Sequence, residues 1–485
     1  MAVRQTRIST KSSAKLRFER VECRLMLKAT MIFEPHQIDQ TSPAPFAQSR
    51  TADAADLDGD GDLDVVTVSR AENLIAWHEN EDGKGAFSRR KVISNQTIGA
   101  NDVILADLDA DGKPDVVYAA STSNTIGWHR NLGSGNFGEA NLLSTNALNA
   151  NGLHVADLDN DGDLDVLAAS EADDTVGWFA NIDGKGTFTD RQVITSEADS
   201  ARSVFAADLD GDGDLDVLSA SARDDIVAWY ENEDGVGQFG SRQTISIPNS
   251  AVSRANFVSA ADLDGDGDLD VLTASYNDKE VSWYENIDGL ATFGEEKVLM
   301  QDVGHPRPRY DSVWAADIDS DGDLDVVSSA EFGHLTFWVE NLDGTGVFAE
   351  MRPIGPKSEM TGGTFRIVDL DQDGDLDILA GSDHEGIIAW HENRQVGDSN
   401  DDGVFNASDI IRVFQAAEFL DDIPNNSTFD EGDWNLDGDF DTTDLVFAFQ
   451  VGTYGQASRF GVRNGSLASA VDFVLSQADW KKTVR

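Results

Sequence analysis

At intervals of about fifty residues the chain sets aspartates on alternate positions around glycine: DLDGDGDLD starts at Asp56, DLDADGKPD at Asp107, DLDNDGDLD at Asp157, DLDGDGDLD at Asp208 and again at Asp262, DIDSDGDLD at Asp317, and DLDQDGDLD at Asp369. Carboxylates this dense repel one another unless a cation lies among them, and a glycine turn wraps their oxygens about a single point. Such hard oxygen donors suit calcium, which takes roughly six to eight oxygens at about 2.3–2.6 Å. The expected metal residues are Asp56, Asp58, Asp60, Asp62 and Asp64 in the first loop and Asp107, Asp109, Asp111, Lys113 and Asp115 in the second. They are Asp157, Asp159, Asp161, Asp163 and Asp165 in the third, and Asp208, Asp210, Asp212, Asp214 and Asp216 in the fourth. The fifth supplies Asp262, Asp264, Asp266, Asp268 and Asp270, the sixth Asp317, Asp319, Asp321, Asp323 and Asp325, and the seventh Asp369, Asp371, Asp373, Asp375 and Asp377. Side chains at positions 1, 3, 5 and 9 ligate in this reading, with the backbone carbonyl of position 7, where Lys113 is tolerated because only its carbonyl is needed. An EF-hand would require an acid at position 12 and a helix; here position 9 closes the loop and a strand pattern follows.

A second acidic constellation lies near the C-terminus. DSNDDGVFNASD sets Asp398, Asn400, Asp402, Asn406 and Asp409 around Gly403, and 35 residues later DWNLDGDFDTTD sets Asp433, Asn435, Asp437, Asp441 and Asp444 around Gly438. Positions 1, 3, 5, 9 and 12 are filled in both, and an amphipathic stretch follows each, over 410–419 and 445–454. Loop then helix is the half-unit of an EF-hand, so two more calcium sites are expected beside the seven.

The seven loops need a scaffold that repeats as they do. Successive loops start 51, 50, 51, 54, 55 and 52 residues apart. A tryptophan follows each start by 21 residues (Trp77, Trp128, Trp178, Trp229, Trp283, Trp338, Trp390), and an asparagine comes three residues later, from Asn80 to Asn393. Fixed offsets mean one structural unit, copied. Within a unit the apolar pattern has the period of strands; in the third they fall at 153–156, 166–169, 175–179 and 188–194. Four strands per unit, seven times, predict a mainly β, seven-bladed propeller with the tryptophans packed between adjacent sheets. The last unit lacks a fourth strand, whereas residues 33–38 have that strand's pattern, so the N-terminal strand is expected to complete blade seven. The propeller would then span 31–396, followed by a small helical EF-hand-like module at 397–454 and a tail at 455–485.

Composition narrows the partners. A formal charge of −53, from 89 acidic and 36 basic residues, argues against nucleic acid and anionic membrane surfaces. No apolar run approaches the length of a membrane span. The single cysteine, Cys23, forms no internal disulfide, which leaves calcium as the expected staple. Residues 1–30 reverse the charge, with eight Lys or Arg against Glu19 and Glu22, and read as a basic leader for export. No phosphate-binding glycine loop, GxSxG elbow or nucleophile set beside a base is present. The connection VGHPRPRY concentrates His305, Arg307, Arg309 and Tyr310, with Arg223, Arg254 and Tyr276 on neighbouring connections. These suggest a cationic, aromatic-edged patch for an acidic polysaccharide or a protein carboxylate.

The DxDxDGxxD units resemble FG-GAP or VCBS repeats, the family that builds the integrin α-subunit propeller, over roughly residues 33–393. The resemblance implies that the metal loops lie between the first and second strands on one face, that the metal is structural, and that partners use the other face. The C-terminal pair of loops resembles a type I dockerin, the module that binds cohesin domains in carbohydrate-degrading assemblies. That resemblance implies partner recognition at loop positions 10 and 11, which are Ala407 and Ser408 in one copy and Thr442 and Thr443 in the other. The expected function is a non-catalytic adhesion or carbohydrate- or protein-binding propeller, extracellular or on the cell surface, attached to a cohesin-like protein of a larger assembly. The alternative is a polysaccharide lyase or glycoside hydrolase, with His305, Arg309 and Tyr310 as base and charge neutraliser.

Overall fold

The computed structural model describes residues 31–38, 49–246, 254–277, 279–301, 310–330, 335–354, 364–381, 387–400, 402–421, 423–451 and 454–455. The basic leader, nearly all of the tail, and His305, Arg307 and Arg309 lie outside the described residues. Two compact units are present: Pro35–Glu392, and Met1–Glu34 with Asn393–Arg485.

The larger unit is a seven-bladed propeller, each blade a four-stranded sheet, and in six of them the strands follow chain order. The seventh sheet orders Met31–Gln37, Ile388–Gln395, Asp377–Gly381 and Phe365–Val368, so a strand from the N-terminus supplies its fourth position. Blade three shows the common pattern. Ala150–Ala156 pairs antiparallel with Asp165–Ser170, that strand with Thr175–Phe179, and the third with Gln192–Thr195. The second strand is buried along its whole length, because neighbouring blades cover both of its faces, and its sequence is accordingly a near-continuous apolar run rather than an alternation. The fourth strand starts later than its apolar pattern predicts. Phe188 makes only an isolated bridge to Asn181, and ladder pairing resumes at Gln192, since a tight turn at Gly184 and Gly186 leaves the strands out of register.

The motif tryptophans are core, as their fixed offset predicts; none of the seven exceeds 5% exposure. Each of five slides beneath the hairpin of the next blade: Trp77 under Gly135, Trp128 under Gly186, Trp178 under Gly237, Trp283 under Gly346, and Trp390 under Gly85 of the first blade. A methyl group on any of these glycines would fall 2.2–2.3 Å from the indole, so the backbone approach itself demands glycine. Blade five alone has alanine there, Ala291 at φ 56°, packed into the cluster that holds Trp229. The Trp390 contact with Gly85 ties blade seven to blade one.

Among its described residues the smaller unit holds two α-helices, α1 (Ala407–Ala416) and α2 (Thr442–Val451), around Phe405, Val413, Phe429, Trp434, Phe440 and Ala448. Its halves are related by the same 35-residue step as its loops. Gly397 abuts Phe405 as Gly432 abuts Phe440, and Trp434 donates its indole N–H to Ser399, its counterpart in the other half, at 2.9 Å. Among the described residues no helix is long and apolar enough to cross a membrane.

Candidate metal centres

Every acidic loop of the propeller joins the first strand of a blade to the second. In the first loop Asp56 accepts from the amides of Gly59 (2.7 Å) and Gly61 (3.1 Å), Asp58 from Asp60, and Asp60 from Asp62. These bonds turn the carboxylates inward. One oxygen each of Asp56, Asp58 and Asp64 lies within 4.8 Å of the others, and the same holds for Asp107, Asp109 and Asp115, for Asp157, Asp159 and Asp165, and for Asp208, Asp210 and Asp212.

The donor set fits a hard divalent cation on an internal criterion. The Oδ1 atoms of Asp109, Asp159, Asp264 and Asp319, all at position 3, are buried with no hydrogen-bond partner among the described residues. A buried, unpartnered carboxylate oxygen is costly. Burial first, then neighbouring carboxylates, raises the pKa of Asp159, Asp210 and Asp264, and carries Asp319 up to about 7. A cation bound among these oxygens removes both penalties. The set offers oxygen alone, without imidazole or thiolate, which favours calcium, magnesium or manganese over zinc.

Position 9 has a second task that the spacing does not reveal. Asp165 is fully buried; its Oδ2 accepts the amide of Leu158 at 2.9 Å and its Oδ1 that of Asn181 at 2.8 Å. The same clasp recurs at Asp64, Asp115, Asp216, Asp270 and Asp325. Burial pushes Asp64, Asp115, Asp165, Asp216 and Asp270 up to about 7 and Asp325 up to about 8, against the pull of the two amides. The motif asparagine then reaches across to the blade before. Asn131 Nδ2 donates to Leu57 O (2.9 Å), Asn181 to Leu108 O (2.8 Å), Asn232 to Leu158 O (3.0 Å), and Asn80 to Leu370 O (3.3 Å), which closes the circuit. Each loop is thereby locked to its own third strand and to its neighbour. The seven identical offsets of the asparagine were the available signal.

The position-7 side chains point away from the carboxylate cluster. Asp62 packs on Gly83 and Asp163 on Gly184, while Lys113 runs past Gly133. Lys113 nevertheless returns its ammonium to Asp111 Oδ2 at 2.8 Å, and Arg130 pairs with both Asp109 and Asp111. The second loop therefore already holds two cations. Arg130 stands two residues after its tryptophan, where blades one, four, five, six and seven carry Glu79, Glu231, Glu285, Glu340 and Glu392. Glu79, Glu231, Glu285 and Glu340 each add to the field that raises the position-3 aspartate of their loop.

The C-terminal loops share one hydrogen-bond plan. Asp402 N donates to Asn400 Oδ1 (3.0 Å) as Asp437 N does to Asn435 Oδ1 (2.9 Å), and Asn406 N donates to Asp409 Oδ2 (2.7 Å) as Asp441 N does to Asp444 Oδ2 (2.8 Å). Asp409 and Asp444 are buried, with burial pushing them up to about 6 and about 7. Asp398 and Asp433 are buried too, and Asp433 is pushed up to about 6. Ala407, Ser408, Thr442 and Thr443 are exposed at the starts of α1 and α2.

Of the connection expected to carry a cationic patch, His305, Arg307 and Arg309 lie outside the described residues and Tyr310 lies within them. That residue is fully buried, with its hydroxyl on Met351 Sδ at 3.7 Å and its ring against Phe337. It opens a first strand at the place where Ala100, Ala150, Ala201 and Ala255 are buried in other blades, so its side chain packs between sheets. Arg223 is exposed and pairs with Asp199 at 3.4 Å, and Arg254 receives the amide of Tyr276 on its carbonyl at 3.0 Å.

A ring of four-stranded blades, each with an acidic loop after its first strand, defines a repeat-built β-propeller. The FG-GAP-like repeat model matches six overlapping segments, 56–118, 107–168, 157–219, 208–273, 262–328 and 317–380, and the chain belongs to that family. Curated protein sequences gave no match. Among solved structures, an Agrocybe aegerita lectin described as recognising non-reducing terminal N-acetylglucosamine is similar over 72% of this chain and 86% of its own, at 21% identity and a TM-score of 0.50. Virginiamycin B lyase from Staphylococcus aureus is similar over 74% of this chain and 99% of its own, at 12% identity and a TM-score of 0.48. The V. cholerae biofilm matrix protein Bap1 is similar over 74% and 91%, at 12% identity and a TM-score of 0.41.

Proposed function

We propose that the chain is an exported, calcium-stapled propeller that binds carbohydrate without catalysis and is attached to a larger assembly through a C-terminal dockerin-like module. Calcium is supported above all by the buried position-3 oxygens that no donor among the described residues satisfies. Nine divalent ions would bring the formal charge from −53 to −35, relieving repulsion that no disulfide offsets. Carbohydrate as ligand is supported by the likeness in fold to a lectin. Recognition by a cohesin-like partner is supported by the paired, exposed Ala407–Ser408 and Thr442–Thr443 steps in equivalent loops.

The test is a glycan array probed with the full chain in millimolar calcium and again in EDTA, alongside assays for reducing ends and unsaturated products. Calcium-dependent glycan binding without turnover is the expected outcome. Product formation, or an array without binding, overturns the reading.

The nine loops should not fill alike. Arg130 and Lys113 compete with calcium for Asp109 and Asp111, so the second loop should bind last and most weakly. Arg130→Glu, which gives blade two the acid that five other blades carry, should tighten that site by about tenfold or more, as expected for replacing a repulsive charge by an attractive one at short range. Calorimetric calcium titration of both proteins reads the change; an identical isotherm contradicts it.

A further inference from the structure

The seven first strands line the axis of the propeller, and their inward residues are where the repeat breaks. Three residues before each metal loop stand Asp53, Ile104, His154, Phe205, Ser259, Trp314 and Arg366, seven types in seven blades. The residue preceding each of these is apolar in every blade, because it faces the core between sheets. Architecture therefore constrains one parity of this strand and leaves the other free to differ.

A cavity of about 230 Å³ lies among these strands, with all seven contributing to its lining. One wall is aromatic: His154 meets Phe205 at 4.6 Å between ring centroids, Phe205 meets Trp314 at 6.1 Å, and Phe257 meets Trp314 at 5.4 Å. Six residues before the metal loops, at the strand ends remote from them, a polar rim carries Asn101, Asn151 and Asn256. Asn101 Nδ2 donates to Asn151 Oδ1 at 2.7 Å and Asn256 Nδ2 to Asp311 O at 3.0 Å, which fixes the carboxamides in place. The two arginines of the lining are already countered. Arg202 pairs with Glu171 at 3.1 Å, and Arg366 lies 5.6 Å over Trp314 and 3.6 Å from Asp53. Asp102 and Asp311 also face the space. An anionic ligand would find no surplus positive charge here.

We propose that this axial cavity binds one uncharged pyranose ring, a site that rests on the carbohydrate-binding reading above. The apolar C–H face of the sugar lies on Trp314, Phe257 and Phe205, and its hydroxyls meet the asparagine rim. Stacking on a rigid aromatic wall, with a few fixed polar groups to orient the ring, is what a small neutral sugar requires.

The experiment titrates methyl glycosides of neutral hexoses and N-acetylhexosamines, with methyl glucuronide as charged comparator, into the calcium-loaded full chain by calorimetry. Trp314→Ala removes the wall and Asn151→Trp fills the mouth; the calcium-bound melting temperature monitors folding of both. Binding of a neutral glycoside that weakens by about tenfold or more in Asn151→Trp, at unchanged melting temperature, supports the site. Affinity that persists within about twofold in both variants overturns it and leaves the carbohydrate-binding reading standing, with the sugar elsewhere. Tighter binding of the glucuronide overturns the uncharged class. Failure of every glycoside, together with an array without binding, overturns both.

Discussion

Stripping calcium with EDTA near neutral pH lowers the melting temperature by tens of degrees, and the metal-free protein then becomes more stable as the solution is acidified. Each site filled at a hundredfold excess over its dissociation constant adds about 2.7 kcal/mol to folding. Several such sites together exceed the roughly 5–15 kcal/mol that holds a typical domain folded, so the apo propeller should be marginal. The pH dependence follows from the position-9 aspartates. Burial raises Asp64, Asp115, Asp165, Asp216 and Asp270 to about 7 in the fold, from an ordinary value of 3.8. Between those two values the folded chain binds more protons than the unfolded one, so stability falls as pH rises through the window. Without metal, the melting temperature at about pH 5 should exceed that at about pH 7.5; with calcium the order reverses, because protons and metal compete for the same oxygens. Scanning calorimetry at both pH values, with EDTA or calcium, reads all four numbers. A melting temperature indifferent to EDTA sinks the metal reading.

Trp178→Ala costs about 3–5 kcal/mol of stability in calcium, the range for deleting a large buried aromatic. The indole is 2% exposed and bridges two blades, with Phe239 edge-on at 6.2 Å and Gly237 against its face. Gly237→Ala should be comparably severe, since the new methyl falls 2.3 Å from the ring at a backbone φ of +85°. The two losses should not add. Removing the indole removes the collision, so Gly237→Ala in the Trp178→Ala background retains only the cost of left-handed backbone, about 1–2 kcal/mol. Denaturant melts of the two single variants and the double variant complete the cycle. Simple additivity would mean that the indole and the glycine do not constrain each other.

Much of the fold is legible in the residues because whatever recurs at a fixed offset within a blade is a local consequence of one strand pattern. The strand order, the burial of the tryptophans and the place of residues 31–37 beside 388–395 all follow from counting. The role of Tyr310 does not. Basic and aromatic neighbours make its connection look like a ligand patch, yet the strand register puts its side chain between sheets. Alignment with Ala100 and Ala150 carried that information, but a large residue in an alanine position gives little sign that it is still inside. Arg130 eluded the reading for a different reason. It lies 19 residues from Asp111, outside the loop motif, and reaches it only because the third strand returns alongside the second.

By itself, then, the sequence determines the number of blades, the spacing of the acidic loops and the strand that completes the seventh sheet, since each is written as a period or an offset along the chain. Only the tertiary structure decides that position 9 clasps two backbone amides, that the asparagines of six blades lock their loops to the preceding blade, and that residues of all seven first strands line one axial cavity. Those features join residues on different strands or different blades. Their distances are set by ring closure and sheet register, which bring side chains together across separations that no local pattern encodes.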